Sequence, residues 1–219
     1  MQSTQLDRIL RRLATILSVV ILTLSLINVT TGVLLSFYYE PTAGGAYHAL
    51  KMINTEVTYG WLFKTAHDIA GNGVIAIALM QIVVMFLGRQ FRQSWLTAWI
   101  SGILFTLSAI ALDWTEMILG WDQEGYWRFN IELGTIEAIP FIGSQLREIL
   151  TGGGAISTIT VEHLYAIHSY IISAAVIILA IVHLSALLWQ EQQMYAEALA
   201  SKPSEGGFIQ PPAASLAES

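Results

Sequence analysis

The sequence predicts an all-α integral membrane protein: a four-helix bundle with short surface helices in the connection between its third and fourth spans. Two observations predict it. Of 219 residues, 54% are hydrophobic and 12% charged. The apolar residues gather in four long blocks, Leu13–Tyr38, Trp61–Leu87, Trp95–Leu119 and Val161–Trp189. Each block reaches or exceeds the roughly 20 residues a helix needs to cross hydrocarbon, whereas a soluble amphipathic helix alternates apolar and polar faces.

The first block reads as a retained helix. It is too long for a signal peptide and ends in Phe37, Tyr38 and Tyr39 rather than a small-residue cleavage site. Residues 1–12 form an N-terminal arm ahead of it. The second block follows a stretch containing Pro41 and Gly44-Gly45, and the third follows a short basic turn around Arg89 to Ser94. About 40 residues separate the third and fourth blocks, long for a bundle connection. Within them, Ile136 to Leu150 mixes Ile139, Phe141, Ile142, Leu146, Ile149 and Leu150 with polar residues, which suits short helices lying at the membrane surface. Gly152-Gly153-Gly154 breaks that run. The bundle therefore covers 13–190. Residues 191–219, with Pro203, Gly206, Gly207, Pro211 and Pro212, are expected to be a disordered tail. Trp95, Trp99, Trp121 and Trp127 read as interface anchors.

Charge gives orientation. Arg8, Arg11, Arg12, Arg89, Arg92 and Lys202 fall on the side of the termini, against Lys51, Lys64, Arg128 and Arg147 opposite. Basic residues favour the inner side, so the termini are expected on the cytoplasmic side of a bacterial inner or photosynthetic membrane. The net charge of −6 gives no hint of a nucleic-acid surface. The absence of cysteine excludes disulfides, thiolate metal sites and thioether haem attachment to this chain.

Ionisable residues inside spans are costly and point to function. His67 lies near the outer end of the second span. His168 lies near the outer end of the fourth, and His183 is deeper. Both spans run from outside to inside, so His67 and His168 lie at matching depth. His183 lies 15 residues on from His168, roughly 22 Å at 1.5 Å per residue, and its counterpart on the second span is close to Gln81. Two histidines facing each other across a bundle suit the axial positions of a haem iron; the competing reading is an interior histidine with hydrogen-bond partners.

At this point the sequence resembles a family. Thr30-Thr31-Gly32, Phe37-Tyr38-Tyr39-Glu40-Pro41-Thr42, Glu56-Val57, Tyr59-Gly60-Trp61-Leu62, His67, Gly120-Trp121-Asp122-Gln123, Gly125-Tyr126-Trp127, Ala138-Ile139-Pro140-Phe141-Ile142-Gly143 and His168 together resemble cytochrome b6, the N-terminal half of cytochrome b, over roughly residues 13 to 190. The resemblance implies two stacked b haems, with His67 and His168 as ligands of the outer one. For the inner haem it implies His183 and the residue at 81, which here is glutamine, a poor ligand beside imidazole. Only the outer haem is then expected as a bis-histidine site. Other departures agree. The position of the cysteine that attaches an extra haem falls at Ile16, and the basic residues after the last histidine are Leu188, Trp189 and Gln190.

The outer site departs too. A family glycine aligns with Glu116, with Asp113 one turn before it on the same face, and a family arginine aligns with His163. Lys64 could pair with a haem propionate or snorkel to the interface. Gly32 and Gly102 suit close approach of a flat cofactor or another helix. The resemblance implies an electron-transfer subunit with one outer haem b. Its partners would be a separate C-terminal cytochrome b half (subunit IV-like), an iron-sulfur protein, a c-type cytochrome and quinone. Two alternatives stand beside it: a haem-free structural or pigment-binding subunit, and a non-haem metal site near Asp113 and Glu116. The space around Gln81 and His183 is open to chlorophyll, quinone, lipid, a five-coordinate haem, or nothing.

Overall fold

The computed structural model describes residues 5–88 and 95–200. Helices α1 (Gln5–Ser36), α3 (Gly60–Leu87), α4 (Leu96–Leu119) and the continuous run Thr158–Ala200 are each long and apolar enough to cross a membrane. That last run comprises α7 (Thr158–Ala166), a π-helical turn (Ile167–Ile172) and α8 (Ser173–Ala200). The spans form a ring in which α1 packs on α3, α3 on α4, α4 on α8, and α8 on α1. Short helices α2 (Ala46–Thr55), α5 (Gln123–Glu137) and α6 (Gly143–Thr151) gather at one end, called here the loop end.

Lipid tails are as apolar as leucine, so these spans associate through close packing rather than the hydrophobic effect. Small residues permit it. Ala14, Ala98 and Ala186 lie in the buried cluster nearest the termini, and Ala78, Ala109 and Ala180 surround Phe105 and Ile21 in the middle one. A third cluster, around Ile118, Phe129, Leu133 and Leu164, ties α4, α5 and α7 together at the loop end.

Local chemistry sets the element ends. The Asp122 carboxylate accepts from the Gly125 amide at 2.8 Å and starts α5. Ser157 and Thr160 form a reciprocal capping box that starts the fourth span at Thr158, before the Val161 expected. Gly60 joins α2 to α3 where a Cβ would collide with the Ile53 carbonyl. Gly152, Gly153 and Gly154 all take positive φ, which ends α6 as their sequence predicts.

Several expectations need correction. Helices α2 and α5 are not marked by apolar blocks, and α5 begins well before the Ile136–Leu150 segment expected to be helical. Ala138 to Ile142 is a turn, with Phe141 at positive φ and 98% exposed. Trp95 is not an interface anchor: it is buried against Ala14, Val84 and Leu187, whereas Trp127 is exposed. The last helix passes the boundary expected at 190 and is described as far as Ala200. Glu191 to Ala200 contains no glycine or proline, and Glu191 accepts a 2.7 Å bond from the Thr15 hydroxyl of α1. Helix α1 likewise already begins at Gln5 within the arm assigned to 1–12. The remainder of the tail, residues 201–219, lies outside the described residues, as does the basic turn 89–94.

Candidate functional site

Three interior histidines are held in one way. The His67 Nδ1 lies 2.9 Å from the Asn28 carbonyl and 3.1 Å from the Thr31 hydroxyl. The His183 Nδ1 lies 2.9 Å from the Ala98 carbonyl and 3.2 Å from Ser101 Oγ. The His168 Nδ1 bonds the Leu112 carbonyl and lies 2.8 Å from Thr115 Oγ1. A carbonyl can only accept, so each Nδ1 carries the proton and each neutral ring has its lone pair on Nε2. The hydroxyls turn their own protons back onto their helices: Thr31 donates to Ile27, Ser101 to Thr97, Thr115 to Leu112. This leaves an oxygen lone pair facing each imidazole N–H, the outer-shell arrangement that orients a metal-ligating histidine.

A repeating cradle produces this: a carbonyl, a hydroxyl three residues later, and a small residue one further on. It reads Asn28, Thr31, Gly32 on α1 and Ala98, Ser101, Gly102 on α4. In both, the ring abuts the glycine through its Cε1. A Cβ on Gly32 would sit 3.0 Å from His67 Cε1, and one on Gly102 would sit 2.8 Å from His183 Cε1. The glycines singled out in the sequence therefore admit imidazole rings. The other two cradles are altered. Leu112 and Thr115 are followed by Glu116. Ala14 is followed by Leu17 and Ser18, and its carbonyl accepts from Gln81 Nε2 at 2.8 Å. Gln81 thus preserves the donor that an imidazole Nδ1–H would supply and lacks the Nε2 lone pair that would bind iron.

His67 and His168 open into one cavity of about 800 Å³ at the loop end, also lined by Gly32, Lys64, Asp68, Asp113, Glu116 and Tyr165, within the size range of cofactor sites. Tyr39, outside the spans, lines it as well. Its hydroxyl donates to the Leu119 carbonyl at 2.8 Å, and burial, with Tyr165 beside it, holds the phenol above its usual pKa, so it remains a donor.

One wall is acidic. Lys64 Nζ bonds Asp68 Oδ2 at 2.6 Å, one turn on in its own helix. Glu116 reaches from α4 across to Asp68 on α3, its Oε2 passing 3.8 Å from where a Gly71 Cβ would be. Asp68 is a site residue that the sequence reading missed, although its i,i+4 spacing from Lys64 inside a span signals it. Among the described residues no three His, Asp or Glu side chains come together so as to hold a metal ion. Asp113 and Glu116, to which the sequence pointed for a non-haem metal, therefore belong to no such group among the described residues. His163 turns away to the Ile149 carbonyl at 3.3 Å.

The level nearer the termini is different. Gln81 and His183 are 3% and 2% exposed, and His183 Nε2 is buried without a partner. Phe105, Ile21, Val74 and Ala180 fill the layer toward the loop end, and Leu17, Met85 and Leu187 the layer toward the termini. His67 and His168 line the loop-end cavity together, whereas Gln81 and His183 are both buried.

The family described as Cytochrome b/b6/petB matches residues 3–191. The chain belongs to the cytochrome b/b6 family. A cytochrome b6 of Oltmannsiellopsis viridis is 28% identical over 72% of this chain and 74% of its own length. One of Synechococcus elongatus is 29% identical over 74% and 75%. A solved structure titled Hyperthermophilic respiratory Complex III superposes with a TM-score of 0.71 at 22% identity, over 80% of this chain and 47% of that one. This cytochrome b chain thus spans about half the length of the matched structure. Family membership implies binding of haem b. The loop-end residues fit that group: two imidazoles with their Nε2 lone pairs available, lining one cavity, with a bare glycine beside one of them. The level of Gln81 and His183 does not offer that group two imidazoles: an amide stands at Gln81, and its Nε2 is spent on the Ala14 carbonyl.

Thr115→Val tests the altered cradle. Valine preserves shape and removes the oxygen that accepts from His168. The expected result is a fall in haem affinity of about 10- to 100-fold, read by haem titration of the purified apoprotein, without loss of helix content by circular dichroism.

Proposed function

We propose that this chain is an electron-transfer subunit of a quinol-oxidising membrane complex, carrying a single b haem at the loop end between His67 and His168. One observation supports this above the others: both imidazoles are held by a backbone carbonyl and a hydroxyl, which leaves Nε2 unspent, and both line the same cavity. The haem, when bound, supplies a one-electron couple. The chain's residues hold and orient its ligands through Asn28, Thr31, Leu112 and Thr115, leave room beside Gly32, and set the local charge through Lys64, Asp68, Asp113 and Glu116. Charge near a haem and its hydrogen bonds are the protein's means of setting its potential.

With the second level filled, electrons enter and leave on one side of the membrane, through quinol or a neighbouring redox centre. A separate C-terminal cytochrome b chain, an iron-sulfur protein and a c-type acceptor complete the complex. The excess of basic residues near the terminal end assigns that end to the cytoplasmic side. A haem-free structural or pigment-binding subunit is the second reading, favoured by one observation: Glu116 crosses the cavity region to Asp68, where a flat cofactor would need space.

The deciding measurement is the pyridine haemochrome of the purified chain, with its reduced-minus-oxidised spectrum. One b haem per chain is expected. Two would overturn the filled second level, and none would move the assignment to the haem-free subunit.

A further inference from the structure

The two cradles on α4 lie 14 residues apart, Ala98 to Leu112 and Ser101 to Thr115, yet the histidines that occupy them, His168 and His183, lie 15 apart. Across the bundle the counts agree: Asn28 and Ala14 on α1 are 14 apart, as are His67 and Gln81 on α3. At 3.6 residues per turn, 14 residues fall about 40° short of four full turns and 15 pass them by about 60°. A regular fourth span would therefore swing one histidine by roughly 100° and displace it by about 1.5 Å along the axis, away from its cradle.

The π-helical turn Ile167–Ile172 takes up that residue. Its hydrogen bonds close five residues apart, as the Ser173 amide does onto the His168 carbonyl. The same carbonyl accepts a second bond, 2.6 Å from Ser173 Oγ. The widened turn begins at the residue before the ligand, and its closing serine holds the ligand's own backbone. Such turns are enriched at functional sites.

We propose that the π-helical turn and Ser173 are positioning elements for His168, absorbing the one residue by which the fourth span exceeds the cradle spacing of α4. The proposal rests on the haem reading only for the consequence of misplacing His168; the register itself has a haem-independent test.

The chain has no cysteine, so introduced pairs report cleanly. Thr115→Cys with His168→Cys reports the loop-end cradle, and Ser101→Cys with His183→Cys the other. Oxidative cross-linking in the full chain is expected for both pairs. Deleting Ile171, whose side chain is exposed, leaves 14 residues between the histidines, which a regular α-helix matches, so both cross-links persist. Inserting alanine after Ile171 abolishes the 115–168 cross-link. Loss of that cross-link on deletion, with the 101–183 link intact, overturns the proposal.

If the deletion loses both links through misfolding, Ser173 decides. Ser173→Ala must lower the 115–168 yield, and in the haem-loaded parent background it must alter the electron paramagnetic resonance of the low-spin iron, with Ser173→Thr restoring both. An unchanged yield in Ser173→Ala overturns the proposal. A parent that cross-links but binds no haem removes the proposed function and leaves the register standing.

Discussion

His168→Ala is expected to abolish the six-coordinate b-type spectrum, whereas His183→Ala leaves the haem content unchanged. The contrast follows from where each Nε2 points. His168 contributes to the wall of the loop-end cavity, and its removal takes away one of two axial donors while Thr115 and the Leu112 carbonyl remain behind. The loss in haem affinity should exceed the roughly 10- to 100-fold that an outer-shell partner is worth. His183 has an equally well-formed cradle, but its Nε2 is buried without a partner between packed layers of Phe105, Met85 and Leu187. Haem titration of both variants, with the optical spectrum of each, reads the result. A fall of haem content by half in His183→Ala would show a second haem and would reverse the reading of Gln81.

Gly102→Ala is expected to cost about 1–3 kcal/mol in stability, the usual penalty for overfilling a packed interior. The added methyl would sit 2.8 Å from His183 Cε1, so the ring must leave the Ala98 carbonyl or α4 must move from α8. Neither is easy: His183 is fully enclosed, and losing its carbonyl leaves a buried N–H unsatisfied. Gly44→Ala is the control, because nothing lies within 4 Å of its added methyl. Thermal unfolding of the two variants in the same detergent should lower the midpoint only for Gly102→Ala. Equal midpoints would show that the α4–α8 contact is looser than its geometry indicates.

The four spans were legible because hydrocarbon demands long apolar runs, and charged or imidazole side chains inside them are rare enough to mark sites. The matching depth of His67 and His168 was legible from position along their spans, whereas the reading of position 81 as a second ligand position came from the family resemblance. Other residues left no comparable trace. Asn28 matches a glycosylation acceptor within a span, yet its contribution is a backbone carbonyl, which every residue carries. Asp68 is marked by sequence only through its i,i+4 spacing from Lys64; that Glu116 reaches it from α4 is visible only in the fold. Helices α2 and α5 are short and polar enough to escape the pattern of apolar blocks, and Ser173 is one serine among several. Gly32 and Gly102 suit close approach of a flat cofactor or another helix by sequence, and the structure adds that each lies against an imidazole ring.

The sequence by itself determined the membrane class, the four spans, the family and the depth of each candidate ligand, since these depend on composition and on position along a helix of known rise. Only the tertiary structure decided which histidines line the loop-end cavity and which is buried, and how 15 residues on the fourth span are matched to 14 on α4. Both depend on side-chain volume and hydrogen bonds between helices far apart in the chain, and no count along one strand of sequence contains them.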